Sequence, residues 1–123
     1  MRVAIIGSRG MRVNKLEEYL PAGVTEIVSG GARGVDRCAR AYALNNNIKL
    51  TEFLPKYKEY GRAAPLIRNI EIIENSDIVL AFWDKISHGT KFTIDHCIKR
   101  KIPFKVFIPC EARGSYEELY SGG

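Results

Sequence analysis

Val24-Thr25-Glu26-Ile27-Val28-Ser29-Gly30-Gly31-Ala32-Arg33-Gly34-Val35-Asp36-Arg37-Cys38-Ala39-Arg40-Ala41-Tyr42-Ala43 is the stretch whose reading decides the fold. Val24 to Val28 is rich in β-branched residues, which suits a strand. Val35, Cys38, Ala39, Tyr42 and Ala43 then recur at i, i+3, i+4, i+7 and i+8, the stripe of a helix with one buried face. Between them, Ser29 to Gly34 sets three glycines within five residues. Such a turn takes positive φ angles and lets the backbone approach another group closely. A strand, a glycine-rich turn and an amphipathic helix form the first half of a βαβ unit.

The same alternation extends in both directions. Arg2 to Ile6 is a β-branched run stopped by Gly7-Ser8-Arg9-Gly10, as expected of a parallel strand buried on both faces. Asn14, three residues before Glu17, predicts the start of a short helix with Leu16, Tyr19 and Leu20 inward and Pro21-Ala22-Gly23 at its end. Asn45-Asn46-Asn47 closes the helix that begins at Val35, and Ile48 to Leu54 reads as the third strand. Pro55 to Ala64 reads as a polar, basic loop. Pro65 opens a helix with Leu66, Ile70 and Ile73 on its apolar face. Asp77 to Trp83 is a fourth strand. A helix from about Thr90 to Lys101 presents Ile94, Cys97 and Ile98 inward, and Pro103 to Ile108 is the fifth strand. Five strands separated by helices predict an α/β fold: a single three-layer Rossmann-like domain with a five-stranded parallel sheet over residues 1–110. Residues 111–123 have weak periodicity and are expected to form a frayed or partly helical tail.

The chain has 123 residues, 46% of them hydrophobic, which supports one core and argues against disorder. No apolar run approaches the roughly 18 residues of a membrane span, and the N-terminus enters a strand directly, so neither a membrane partner nor a signal peptide is expected. Cys38, Cys97 and Cys110 are odd in number and widely spaced, which points to a reducing, cytoplasmic setting. His88, His96 and the cysteines lack zinc spacing, so no metal and no cofactor is expected. Neither a strand-end G-x-S-x-G elbow nor a Walker lysine is present, and catalytic residues stay unassigned.

Ligands of open parallel sheets bind beyond the carboxyl ends of the strands. Four loops leave those ends here, and all four carry unusual residues. In the turn after the second strand, Ser29, Gly30, Gly31, Arg33 and Gly34 lead into a helix start, a setting that favours phosphate. Asp36 has three readings: an acid complementing the helix dipole, an acceptor for a ligand, or an anchor for Arg33. Gly7, Ser8 and Arg9 offer a hydroxyl and a guanidinium fork, though a solvated surface role is nearly as good. Ser87, Gly89 and Thr90 either cap the fourth helix or hold a second phosphate. Arg68 and Asn69, one turn into the third helix, point toward the same ends. Lys56, Lys58 and Arg62, interleaved with Tyr57 and Tyr60, suit either nucleic-acid contacts or a lid.

Gly7-Ser8-Arg9, Ser29 to Asp36, Arg68-Asn69, Asp77 and Ser87-His88-Gly89-Thr90, in this order, resemble the SLOG superfamily of Rossmann-like nucleotide-ligand proteins, its small YspA-like members above all. Two better-understood relatives define what the resemblance implies. The Lonely Guy phosphoribohydrolases carry P-G-G-x-G-T-x-x-E at the fourth strand end. Gly89-Thr90 matches its G-T, but Thr93 stands where the catalytic Glu would be. The chain is also similar to the core of the DNA-processing protein A (Smf) family, with its GSR loop, S-G-G-A-x-G-I-D helix start and R-N pair. That likeness implies single-stranded DNA binding by the same face, and the relatives imply a homodimer.

The leading expectation is therefore binding of a nucleotide-like, phosphate-bearing small molecule, as a sensor. Single-stranded nucleic-acid binding is the alternative, and a phosphoribohydrolase the weaker third. The charge supports an anion in each case. The four loops hold ten basic residues against Asp36, Glu59 and Asp84, a net +7, whereas the chain as a whole is +5.

Overall fold

Alternation along the strands places successive side chains on opposite faces of one sheet, and both faces are apolar. In the computed structural model, which describes residues 1–123, the strands are β1 (Arg2–Gly7), β2 (Glu26–Ser29), β3 (Lys49–Glu52), β4 (Ile78–Phe82), β5 (Phe104–Pro109) and β6 (Tyr116–Gly122). The helices are α1 (Val35–Asn45), a single turn α2 (Tyr57–Tyr60), α3 (Ala64–Glu74) and α4 (His88–Arg100). The sheet order is β3-β2-β1-β4-β5-β6. The first five strands are parallel, and β6 runs antiparallel to β5.

Val3, Ile5, Ile27, Leu80 and Phe82 meet Val35, Ala39 and Ala43 of α1 on one face. Ala4, Ile6, Val28, Val79 and Ala81 meet Ile72 and Ile73 of α3 and Ile94 and Cys97 of α4 on the other. The stripe read in α1 is thus the one that packs. An aromatic group closes the first face: the ring of Tyr19 stands edge-on to Phe82 and Phe107, and Tyr116 stands edge-on to Phe82. Burying Phe82 completely stabilises the fold by roughly 2–3 kcal/mol. No helix is long and apolar enough to cross a membrane.

Several expectations are corrected. The sheet has six strands, not five, because residues 116–122 of the expected tail pair with β5. The helix expected after Asn14 is only a 3-10 turn at Leu16–Glu18. Lys15 adopts a left-handed φ of 50°, which breaks the helix before it starts, and the Asn14 backbone N–H donates to the Gly114 carbonyl at 2.9 Å instead. Residues 57–63 of the expected loop form α2 and a 3-10 turn. Ile98 is exposed rather than inward, since Thr90, Thr93, Ile94 and Cys97 take the buried side of α4. On α3 the buried residues are Ala64, Arg68, Ile72 and Ile73, so of the expected face only Ile73 is buried, while Leu66 and Ile70 are half-buried.

Tyr116 joins β6 to the core through its ring and through its hydroxyl, which donates to the Arg12 carbonyl at 2.7 Å. Tyr116→Ala is expected to cost about 2 kcal/mol in urea denaturation. Ile98→Lys is expected to change stability by less than about 0.5 kcal/mol in the same measurement.

Candidate functional site

The strand order changes direction between β1 and β4, so the crevice of this sheet opens beyond the carboxyl ends of those two strands. Two grooves lie there. The first, about 280 Å³, is bounded by the turns after β1, β2 and β3. The second, about 360 Å³, is bounded by the loops after β1 and β4 and by the starts of α3 and α4. Arg9, Ala32, Asp36 and Arg68 line both, so these four residues form the common wall.

Arg68 is the deepest cation of this wall. Ala64, Arg68 and Ile72 lie four residues apart on the buried side of α3, which carries the guanidinium inward until it is only 7% exposed. Its Nη1 donates to the Gly30 carbonyl at 2.7 Å and the Phe53 carbonyl at 3.4 Å, and its Nε donates to Asn69 Oδ1 at 2.9 Å. A Cβ on residue 30 would lie 2.6 Å from Nη1, so the turn needs glycine for this approach. Asp36, the second residue of α1, is also 7% exposed and accepts the Ala32 N–H through Oδ2 at 3.1 Å. Arg68 and Asp36 flank Gly30 without forming an ion pair within 4.0 Å. Burial pushes the Arg68 guanidinium below its ordinary value, and the pull of Asp36 offsets only part of that. Burial likewise raises the Asp36 carboxyl, more than the Ala32 N–H and Arg68 lower it.

The second groove is built from hydroxyls and helix-start amides. Ser8 is 5% exposed and its Oγ has no hydrogen-bond partner. Ser87 immediately precedes α4, but its hydroxyl caps nothing, which leaves the first amides of that helix free. Asp84 Oδ1 accepts the N–H groups of Ile86 at 2.8 Å and Ser87 at 2.7 Å. Burial raises the Asp84 carboxyl, but these amides outweigh it and hold the group below the usual carboxylate range. Thr93 lies in the same wall, where its Oγ1 donates to the Gly89 carbonyl at 2.9 Å.

The structure brings together most of the expected site. Gly30, Gly31 and Arg33 line the first groove. Gly7, Ser8, Asn69, Ser87, Gly89 and Thr90 line the second, and Arg9, Asp36 and Arg68 line both. Ser29 is fully buried and lines neither. Gly34, at φ +74°, is a packing residue: any Cβ there would strike the Arg9 carbonyl. Asp36 does not anchor Arg33; its contact is the Ala32 amide. Lys56, Lys58 and Arg62 are exposed around α2 and line neither groove. Sequence reasoning missed Arg37, Arg40 and Glu52 in the first groove and Asp84 in the second. Arg37 and Arg40, three apart on α1, carry the signal in their spacing. Asp84 carries it as an acid two residues before Ile86, whose N–H it accepts in an Asx turn. Arg40 pairs with Glu52 at 3.4 Å, whereas Arg9, Arg33 and Arg37 form no ion pair.

Replacing Arg68 by Met leaves the buried Gly30 carbonyl without its partner and is expected to cost about 2–3 kcal/mol in urea denaturation. The folded chain also holds the Asp36 proton more tightly than an unfolded chain, whose ordinary value is 3.8. That contribution is complete below the ordinary value and is lost as pH rises through the raised one. Asp36→Asn is therefore expected to flatten this part of the stability–pH curve, measured as denaturation midpoints across the acid range.

The family model described as DNA recombination-mediator protein A matches residues 1–100. No curated protein and no solved structure matches the chain significantly. The matched segment runs from β1 to the end of α4 and contains every residue that lines the two grooves. With four-fifths of its length matched, and with the GSR loop, the glycine-rich turn and the Arg-Asn pair meeting at one crevice, the chain belongs to the DNA recombination-mediator protein A family.

Proposed function

We propose that the chain binds single-stranded DNA over the carboxyl ends of its strands, with the two grooves seating phosphates. The observation that carries this reading is the set of uncompensated arginines. Arg9, Arg33 and Arg37 converge on the first groove without a carboxylate partner, above the buried charge of Arg68. Like charges held this close repel one another, and a polyanion relieves that repulsion while releasing its own counterions. Leu54 and Pro55 are the main apolar surface there, so the groove offers little to enclose a base but much to hold a backbone. Tyr57 and Tyr60, exposed on α2 among Lys56, Lys58 and Arg62, supply faces for stacking bases, worth about 1–3 kcal/mol each. The family's description as a DNA recombination mediator agrees with DNA as the polyanion.

A second reading has its own observation. In the larger groove the unpartnered Ser8 hydroxyl lies with the uncapped start of α4, where the amides of Gly89 and Thr90 suit the phosphate of a small nucleotide. Asn69, with its carbonyl engaged by Arg68, keeps its amide donors for such a ligand.

Fluorescence anisotropy with a labelled oligothymidylate separates the two. The DNA reading expects binding that weakens steeply with salt, and a loss of about tenfold or more on Arg33→Glu with Arg37→Glu. Absence of binding at low salt overturns it. A rise in melting temperature with nucleoside monophosphates, in a chain that ignores the oligonucleotide, establishes the nucleotide reading instead.

A further inference from the structure

A third groove, about 300 Å³, opens on the other side of Arg9. One wall is the loop after β1, with Gly10, Met11 and Arg12. The other is the connection from β5 to β6, with Cys110, Arg113 and Gly114. Arg9, Arg12 and Arg113 line it, no acidic residue does, and none of the three arginines forms an ion pair.

The two walls are fastened to each other by hydrogen bonds. The Asn14 N–H donates to the Gly114 carbonyl at 2.9 Å, and Asn14 Nδ2 donates to the Arg113 carbonyl at 3.1 Å. From the other side, the Tyr116 hydroxyl donates to the Arg12 carbonyl at 2.7 Å, and the Tyr116 N–H donates to the Tyr19 hydroxyl at 2.9 Å. Gly114, at φ +82°, makes the approach feasible, since a Cβ there would meet the Asn14 side-chain amide. Arg12 and Arg113 are thus exposed heads on clamped roots, and holding them together brings like charges side by side without any internal compensation. Arg113 lies beyond residues 1–100, outside the segment that matches the family.

We infer that this groove is a further phosphate subsite, occupied by a nucleic-acid strand that runs from Arg33 and Arg37 past Arg9 to Arg12 and Arg113. The inference rests on the DNA-binding reading above and extends it. Arg9 lines all three grooves, so a strand leaving the first groove on this side passes it. A single nucleotide fills one groove, whereas filling the first and third together requires a chain of phosphates. The ligand class is therefore an oligonucleotide, and the β5–β6 connection is what lengthens its path.

The test compares an oligothymidylate of about 20 nucleotides with a trinucleotide, using wild type, Arg12→Ala with Arg113→Ala, and Arg12→Lys with Arg113→Lys. The alanine pair is expected to weaken the long strand by about tenfold and to flatten its log K against log salt slope by about 1.4, two contacts at about 0.7 each. Trinucleotide binding and melting temperature are expected to stay at wild-type values, and the lysine pair is expected to keep the wild-type slope. An unchanged affinity and slope for the long strand in the alanine pair overturns the subsite. It leaves the DNA reading standing if Arg33→Glu with Arg37→Glu still weakens binding by about tenfold or more. Equal weakening of both oligonucleotides also overturns the subsite, because the effect is then not one of length. Failure of the wild type to bind the long strand overturns both readings.

Discussion

The Arg68 guanidinium, laid against the Gly30 carbonyl at 2.7 Å, is the contact around which the strand ends are arranged. It ties α3 to the turn after β2 and, through the Phe53 carbonyl, to the chain leaving β3. Gly30 has to be a glycine for the guanidinium to come this near, and Gly34 has to be one for the same turn to meet the loop after β1. Asp36 reaches back to the Ala32 amide and fixes the shape of the turn from the helix side. The buried Arg68 and Asp36, their three contacts with backbone groups and two missing side chains thus set the positions of three loops. The cost is electrostatic. A guanidinium without a carboxylate in contact is largely buried in the wall, and its hydrogen bonds to carbonyls offset only part of the lost hydration. Even with its basicity lowered by burial, a guanidinium stays charged at neutral pH, so the wall of both grooves remains positive.

Much of this could be read from the amino-acid order, for identifiable reasons. Parallel strands buried on both faces are continuous apolar runs, and Arg2 to Ile6 and Asp77 to Trp83 declare themselves that way. The α1 stripe is unbroken because its helix packs on one face of the sheet only. What stayed hidden depends on partners far along the chain. Asn14 looks like a helix cap locally, but its donors go to Arg113 and Gly114, about a hundred residues later. β6 has no alternation to read, because Glu117, Glu118 and Leu119 on this edge strand are all exposed. At the site, the loops were legible and several roles were not. Ser29 and Gly34 share the glycine-rich turn with true groove residues, yet they face the core and the neighbouring loop. Arg68 lies off the stripe Leu66, Ile70 and Ile73 expected of α3, and only the packed helix puts it on the buried side with Ala64 and Ile72.

The ion pairs of the surface lie almost entirely outside the grooves. Arg2 and Lys49 share Glu26, Arg100 pairs with Glu74, Lys105 with Glu118 and Lys91 with Asp95, all away from the crevice. Along the grooves only Arg40 is answered, by Glu52. Exposed pairs of this kind contribute little to stability, at most about 1 kcal/mol each, so the difference says little about folding. It bears on the field instead. Arg9, Arg12, Arg33, Arg37 and Arg113, none of them paired with an acid, add to one another across adjoining grooves.

The division between fixed and mobile groups then bears on what such a surface discriminates. Arg68, Ser8 and Asp84 are buried or bonded in place and lose little freedom when a ligand arrives. The exposed arginines keep theirs and give it up only on contact, about 0.5–1.5 kcal/mol for each side chain immobilised. A fork that can swing meets a phosphate in many geometries, and phosphates are the same in every sequence. Contacts of this class set the register of a strand without reading its bases. Stacking on Tyr57 and Tyr60 is equally tolerant, since every base offers a face. On the proposed reading, such a surface would favour a flexible single strand over a duplex, because a strand bends from groove to groove and unstacks onto the tyrosines more readily.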